Sequence, residues 1–194
     1  MEKLLANLKL HTSFENKDLQ DIESYFFSER VSKGHCLLKE GQVCKKIYFV
    51  SSGCFKTYTI VDGKENVLDF FVEGDWFVEL SSFVNKSPSP FYIEAIENSE
   101  FFYVLKDDFE ELRTKYNSLE RFYCKLLEKY IPRIINLLND KLSISNEERY
   151  CKLIKERPDF INRIPQYLIA SYLGLSPEGL SKLRRRISLN PPSL

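Results

Sequence analysis

Glycine is scarce and unevenly placed in this chain: there are seven in 194 residues, five of them between Gly34 and Gly74, and a hundred residues then pass before Gly174. No glycine-rich phosphate cradle can be assembled from such a distribution, and neither an HExxH pair nor a nucleophile elbow occurs. His11 and His35 are the only histidines, which leaves no histidine-based metal site or general base with a visible partner. Catalysis is not expected, no metal site is indicated, and no cofactor is called for. The five cysteines (Cys36, Cys44, Cys54, Cys124 and Cys151) contain no CxxC, so neither a disulfide framework nor iron–sulfur ligation is suggested, and reduced thiols are expected. No apolar run approaches the length of a membrane span. The N-terminal MEKLLANLKLHTSFENK lacks the sustained apolar core of a signal peptide, and the chain reads as cytoplasmic, with no membrane partner.

Net charge is also missing, but only in the sum. Residues 147–194 hold nine Lys/Arg against five Asp/Glu, a balance of +4 that the rest of the chain cancels. A basic tail on an acidic body suits a protein that meets phosphates at one end. Aromatics are plentiful, with fifteen Phe and eleven Tyr, and these point to a well-filled core in the first part.

The glycine spacing divides that first part into short β-prone segments: HCLLKE, KKIYFVSS, CFKTYTIV and NVLDFFV. Asp62-Gly63 is a hairpin dipeptide, and further strands are expected over Phe91–Ile96 and Glu100–Leu105, giving an antiparallel sandwich or barrel. Lys17–Phe27 has helical spacing before it. Beyond Gly74 the pattern turns helical: Lys106–Tyr116 reads as a short helix and 117–142 as a long one. The long helix contains Pro132, which should kink it. Its seam runs through Leu119, Tyr123, Leu126, Tyr130, Ile134, Leu137 and Leu138. That seam either packs on its own barrel or pairs with the same helix of a second subunit. A length of about 39 Å at 1.5 Å per residue favours a homodimer. Ser145 to Glu148 form a capping box, which puts a domain boundary near Ser143. The expected organisation is therefore α+β: a β-roll over 1–116, a connecting and dimerisation helix over 117–142, and an all-α domain over 143–194.

The last part carries the sharpest signal. In QYLIASYLGLSPEGLSKLRRR (166–186) one helix ends at Gly174, Ser176 and Pro177 open a second, and Leu180, Leu183 and Ile187 form its buried stripe. The other face presents Ser176, Pro177, Glu178, Ser181, Lys182 and Arg185, followed by the rest of the Arg184–Arg186 run. Such a helix-turn-helix suits entry into the major groove of double-stranded DNA. Lys182 would donate to guanine acceptors, Glu178 would accept from the amino group of cytosine, and the arginines would hold phosphates.

Barrel, long helix and terminal helix-turn-helix in this order resemble the Crp/Fnr family of bacterial transcription regulators. The resemblance is strongest in EGDWFVELSSF (73–83) and in EERYCKLIKERPDFINRIPQYLIASYLGLSPEGLSKLRRRIS (147–188), the latter similar to the form of the family common in Bacteroidetes. It implies a jelly roll of the cyclic-nucleotide-binding type, promoter binding as a dimer, and recruitment or obstruction of RNA polymerase. It also implies a phosphate cassette, in which a Gly-Glu-Leu precedes an Arg and a Ser or Thr. Here Glu79 and Leu80 match, Val78 replaces the glycine, Ser89 stands where the arginine is expected, and Pro90 follows. A serine hydroxyl does not supply the charged, bidentate donor that a buried phosphate needs. Lys86 is the one nearby cation, and a solvated loop lysine is its plainer reading. Phe91, with Tyr92, Phe101 and Phe102, would line an apolar effector pocket or simply be core. Cyclic AMP is therefore not expected to be the effector, and the identity of any small-molecule effector stays open.

One rival reading keeps the fold and drops the DNA: a sensor or docking module binding a small ligand or a protein. Relatives often follow the recognition helix with a β-hairpin wing, whereas SLNPPSL is all that follows here, so a shortened wing and modest affinity are expected.

Overall fold

The computed structural model describes residues 1–189; the expectation about the wing falls mainly on residues 190–194, outside them. The chain forms two compact units, one of residues 1–59 and 69–131, the other of residues 60–68 and 132–194. The division therefore cuts the long helix at Pro132 and takes in a hairpin tip, instead of falling at Ser143.

In the first unit two four-stranded sheets make the roll. One has the order β1 (Phe27–Val31), β8 (Ser99–Leu105), β3 (Lys46–Ser52), β6 (Trp76–Phe77); the other has β2 (Cys36–Leu38), β7 (Tyr92–Ala95), β4 (Phe55–Val61), β5 (Lys64–Phe71). Aromatic rings fill the space between them. Phe55 of the second sheet lies 5.3 Å from Phe77 and 5.6 Å from Phe101 of the first, and Phe71 stacks on Phe77 at 4.9 Å. Phe101 and Phe102 are core, not pocket lining. The apolar alternation of the strand segments is what allows this packing.

Helices close the roll. α1 (Glu2–His11) buries Leu4 and Leu8 completely, and its Asn7 accepts a hydrogen bond from the Trp76 indole at 2.8 Å. α2 (Asn16–Ser24) ends before Phe27, which opens β1 where the sequence suggested more helix. α3 (Leu80–Asn85) and β6 went unforeseen because both are too short for a period to register. α4 spans Lys106–Lys115, and α5 runs from Asn117 to Ser143 with Pro132 inside it.

The second unit contains the C-terminal half of α5, then α6 (Asn146–Glu156), α7 (Pro158–Arg163), α8 (Gln166–Leu173) and α9 (Pro177–Leu189). Its core is Tyr150, Leu153, Phe160, Leu168, Ile169, Ala170, Leu173, Leu180 and Leu183. The tip of the β4–β5 hairpin belongs to this unit: the Val67 amide donates to the Ser171 hydroxyl at 2.9 Å, and that hydroxyl donates to the Glu65 carbonyl at 2.8 Å.

Candidate DNA-reading site and degenerate effector pocket

Local chemistry fixes the helix-turn-helix. Gly174 takes φ 71°, its amide bonds back to Ala170 and Ser171, and the Leu175 amide donates to the Ala170 carbonyl at 2.8 Å. This is the glycine-terminated helix end that a residue with a Cβ would strain. The Ser176 hydroxyl accepts from the Gly179 amide at 3.0 Å, and Pro177 takes the first position of α9. Leu180 and Leu183 are buried and Ile187 is half-buried, whereas Glu178, Ser181, Lys182 and Arg185 are exposed. Residues 178, 182 and 185 follow one another at intervals of four and three, so they share a single face. Hydrogen bonds from its own amide and from the Ser176 side chain hold the Glu178 carboxyl below the ordinary range.

The arginine run does not act as one patch. Arg184 turns back to donate to Gln166 of α8 at 2.7 Å, and Arg186 is ion-paired with Glu147 of α6. Arg185 alone of the three lies in line with Glu178 and Lys182. Ser176 is occupied as a cap and Pro177 as a helix opener, although both remain exposed. The segment Glu148-Arg149-Tyr150 supports this helix-turn-helix. Glu148 and Ser145 complete the capping box of α6. Tyr150 is buried, its phenol pushed up by desolvation and pulled back by Arg184. Arg149 reaches the turn of the helix-turn-helix. The sequence offered no sign of that reach, because its partners lie more than twenty residues away.

The cassette residues are all internally satisfied. Glu79 is buried and caps α3, accepting from the Ser81 amide at 3.2 Å and the Ser82 amide at 2.8 Å. Leu80 begins that helix, and Lys86 ends it in a left-handed conformation (φ 54°), exposed. Ser89 is buried with its hydroxyl committed to the amide and carbonyl of Phe91. Phe91 itself is half-buried. Lys106, unremarked in the sequence, is buried; its ammonium caps α3 through the carbonyls of Phe83 and Val84, the latter at 3.3 Å, and meets Glu110 at 3.4 Å. Lys56, also buried, pairs with Glu94 at 3.4 Å. No group of three His, Cys, Asp or Glu able to hold a metal occurs among the described residues. None of their helices is long and apolar enough to cross a membrane.

Most of the seam expected to dimerise packs inward. Leu119 is wholly buried in its own subunit, and Tyr123, Leu126 and Tyr130 pack against the same core. Leu137 faces a small cleft shared with Arg149, Leu153 and Leu173 of its own unit. Of the seven, exposed Leu138 lies on the outward side and half-buried Ile134 borders it. That side carries Ile131, Ile135, Leu138 and Leu142, exposed by 49%, 59%, 57% and 88%. Their spacing of four, three and four is the periodicity of a coiled-coil seam.

A two-sheet roll with a filled cassette, a long helix with an outward apolar stripe and a helix-turn-helix with a polar face follow one another in this chain. A model of the cyclic nucleotide-binding domain matches residues 28–116. The chain is 23% identical over 196 residues to the anaerobic regulatory protein of Pasteurella multocida, covering 94% of this chain and 71% of that one. It is 28% identical over 171 residues to the fumarate and nitrate reduction regulatory protein of Yersinia pestis, covering 80% of this chain and 66% of that one. It thus spans about two-thirds of the length of these relatives. A solved regulator of the Crp/Fnr family from Eubacterium rectale shares the fold with a TM-score of 0.71 at 17% identity, over 91% of this chain and 84% of that one. The chain is similar in sequence to these regulators and shares the fold of a Crp/Fnr regulator.

Proposed function

We propose that this protein is a sequence-reading, DNA-binding transcription regulator, and that it works as a homodimer. The observation that carries the reading is the division of α9: Leu180 and Leu183 are buried, while Glu178, Ser181, Lys182 and Arg185 stand exposed on the other side. Near the N-terminus of a groove-entering helix, Glu178 and Lys182 have complementary tastes, for the cytosine amino group and for guanine acceptors. Arg185, one turn further on, fits a phosphate. The stripe of Ile131, Ile135, Leu138 and Leu142 gives the dimer its interface, and a two-fold pair of readers doubles the half-sites. Transcription then rises or falls through contact with, or obstruction of, RNA polymerase. Cyclic AMP is not the effector on this reading, because Glu79 and Ser89 are committed to backbone groups and Ser89 offers no charged donor to a phosphate.

Selection of bound sites from random duplex DNA tests this reading. Enrichment of a two-fold sequence is expected, with half-sites about one helical turn apart. Lys182→Ala and Glu178→Ala should each relax preference at one or two base pairs per half-site, by about 1–3 kcal/mol each. Arg185→Ala should weaken all sequences alike. Failure to enrich any sequence would leave the docking module as the better reading.

A further inference from the structure

An α-helix leaves its last four carbonyls without partners inside the helix, and something outside it must satisfy them. At the end of α8 the turn supplies two of the four: the amides of Gly174 and Leu175 close on Ala170 and Ser171. The last turn of α8 contains no basic side chain of its own. The other two carbonyls are reached from α6, where the Arg149 guanidinium donates through one nitrogen to Leu173 at 3.1 Å and through the other to Tyr172 at 3.2 Å. The first of those nitrogens also donates to the Asn146 side chain at 3.1 Å, which fixes the plane of the group. All four terminal carbonyls are thus paired, and the positive charge sits at the end of the helix where the backbone dipole favours it.

We infer that Arg149 is a positioning residue of the DNA reader, a role that rests on the reading proposed above. Its planar fork spans two successive carbonyls at the point where the chain leaves α8, and only three residues, Gly174 to Ser176, separate that point from α9. Holding both carbonyls fixes the direction in which the chain departs, and so the angle at which α9 presents Glu178 and Lys182. A lysine offers a point charge and cannot match two carbonyls with two rigidly related nitrogens. Arg149 is half-buried and its guanidinium is engaged on this turn, so it adds nothing to the phosphate-facing charge.

Charge attraction alone drives binding to arbitrary DNA, whereas base reading needs the angle. Arg149→Met should therefore lower affinity for the selected duplex by roughly tenfold or more, about the worth of one hydrogen bond to a charged donor. Affinity for a scrambled duplex, and the slope of log affinity against log salt, should stay unchanged. Arg149→Lys should recover part of the lost discrimination. Equal losses on both duplexes with a flatter salt slope would make Arg149 a phosphate contact and overturn the inference. Equal losses with an unchanged slope and a collapsed melting transition would make it a general support of the domain, which also overturns it. Undiminished discrimination in Arg149→Met refutes the positioning role alone. A wild-type protein that binds selected and scrambled duplexes equally refutes the DNA-reading function, and the inference with it.

Discussion

Arg186, near the end of α9, is ion-paired with Glu147, in the first turn of α6 and 39 residues earlier in the chain. A cation in the most basic run of the sequence is thereby held by its own domain, on the helix that also carries Arg149. The pair is partly exposed, so its contribution to stability is small.

Glu147→Gln removes the carboxylate and should free Arg186 for a phosphate. Binding to any duplex is expected to strengthen about two- to fivefold at low salt, and the salt slope to steepen by about one. Titrations of one duplex at several salt concentrations measure this, and an unaltered slope would show that Arg186 is out of reach of DNA.

The outward stripe of α5 predicts where association fails. Ile135→Glu combined with Leu138→Glu places two charges in the seam and should leave a folded monomer at micromolar concentration in sedimentation velocity. Leu126→Glu, by contrast, introduces a charge against the core of the subunit and should lower the melting temperature instead. A double variant that still sediments as a dimer would locate the interface elsewhere.

Gly53 has φ +100°, and a Cβ there would lie 2.6 Å from the Cα of Ser99. Its amide also donates to Glu73 at 2.7 Å, tying the β3–β4 turn to the end of β5. Backbone cannot yield as a flexible side chain would, so Gly53→Ala should destabilise the roll by about 2–4 kcal/mol. The midpoint of denaturant unfolding reports it, and an unshifted midpoint would mean the turn relaxes freely.

The capping box makes a pH prediction. Hydrogen bonds from the Ser145 amide and hydroxyl hold the Glu148 carboxyl below the ordinary range. A lowered folded value means the contribution is present above the unfolded pKa and lost as pH falls from there through the folded one. Glu148→Gln keeps a capping partner without the charge. Its melting temperature should therefore fall less than that of the wild type between pH 7 and pH 3.5. Parallel acid limbs would count against the assignment.

Much of this architecture was legible in the order of residues. Ser145-to-Glu148, Gly174 and Ser176-Pro177 act within four residues of themselves, so their caps and turns follow from local chemistry. Glycine spacing marked the roll, and the period of α9 separated Leu180 and Leu183 from Glu178 and Lys182. Short elements such as β6 and α3 escaped, because two to six residues hold too little periodicity to register.

Tertiary packing decided the rest. A helical repeat tells which residues share a face but not which face meets the core, and α5 has apolar residues on both. The sequence therefore led to Leu119, Tyr123 and Leu126 as part of the seam between subunits, and the fold buried Leu119, packed Tyr123 and Leu126 against the core and left Ile135 and Leu138 outside. The three arginines of 184–186 are chemically identical along the chain. Only the placement of Gln166 and Glu147 engages two of them and leaves Arg185 with Lys182 on the exposed face of α9. Arg149 finds its two carbonyls across more than twenty residues, a distance over which local preference carries no information and only the packed helices bring the groups together.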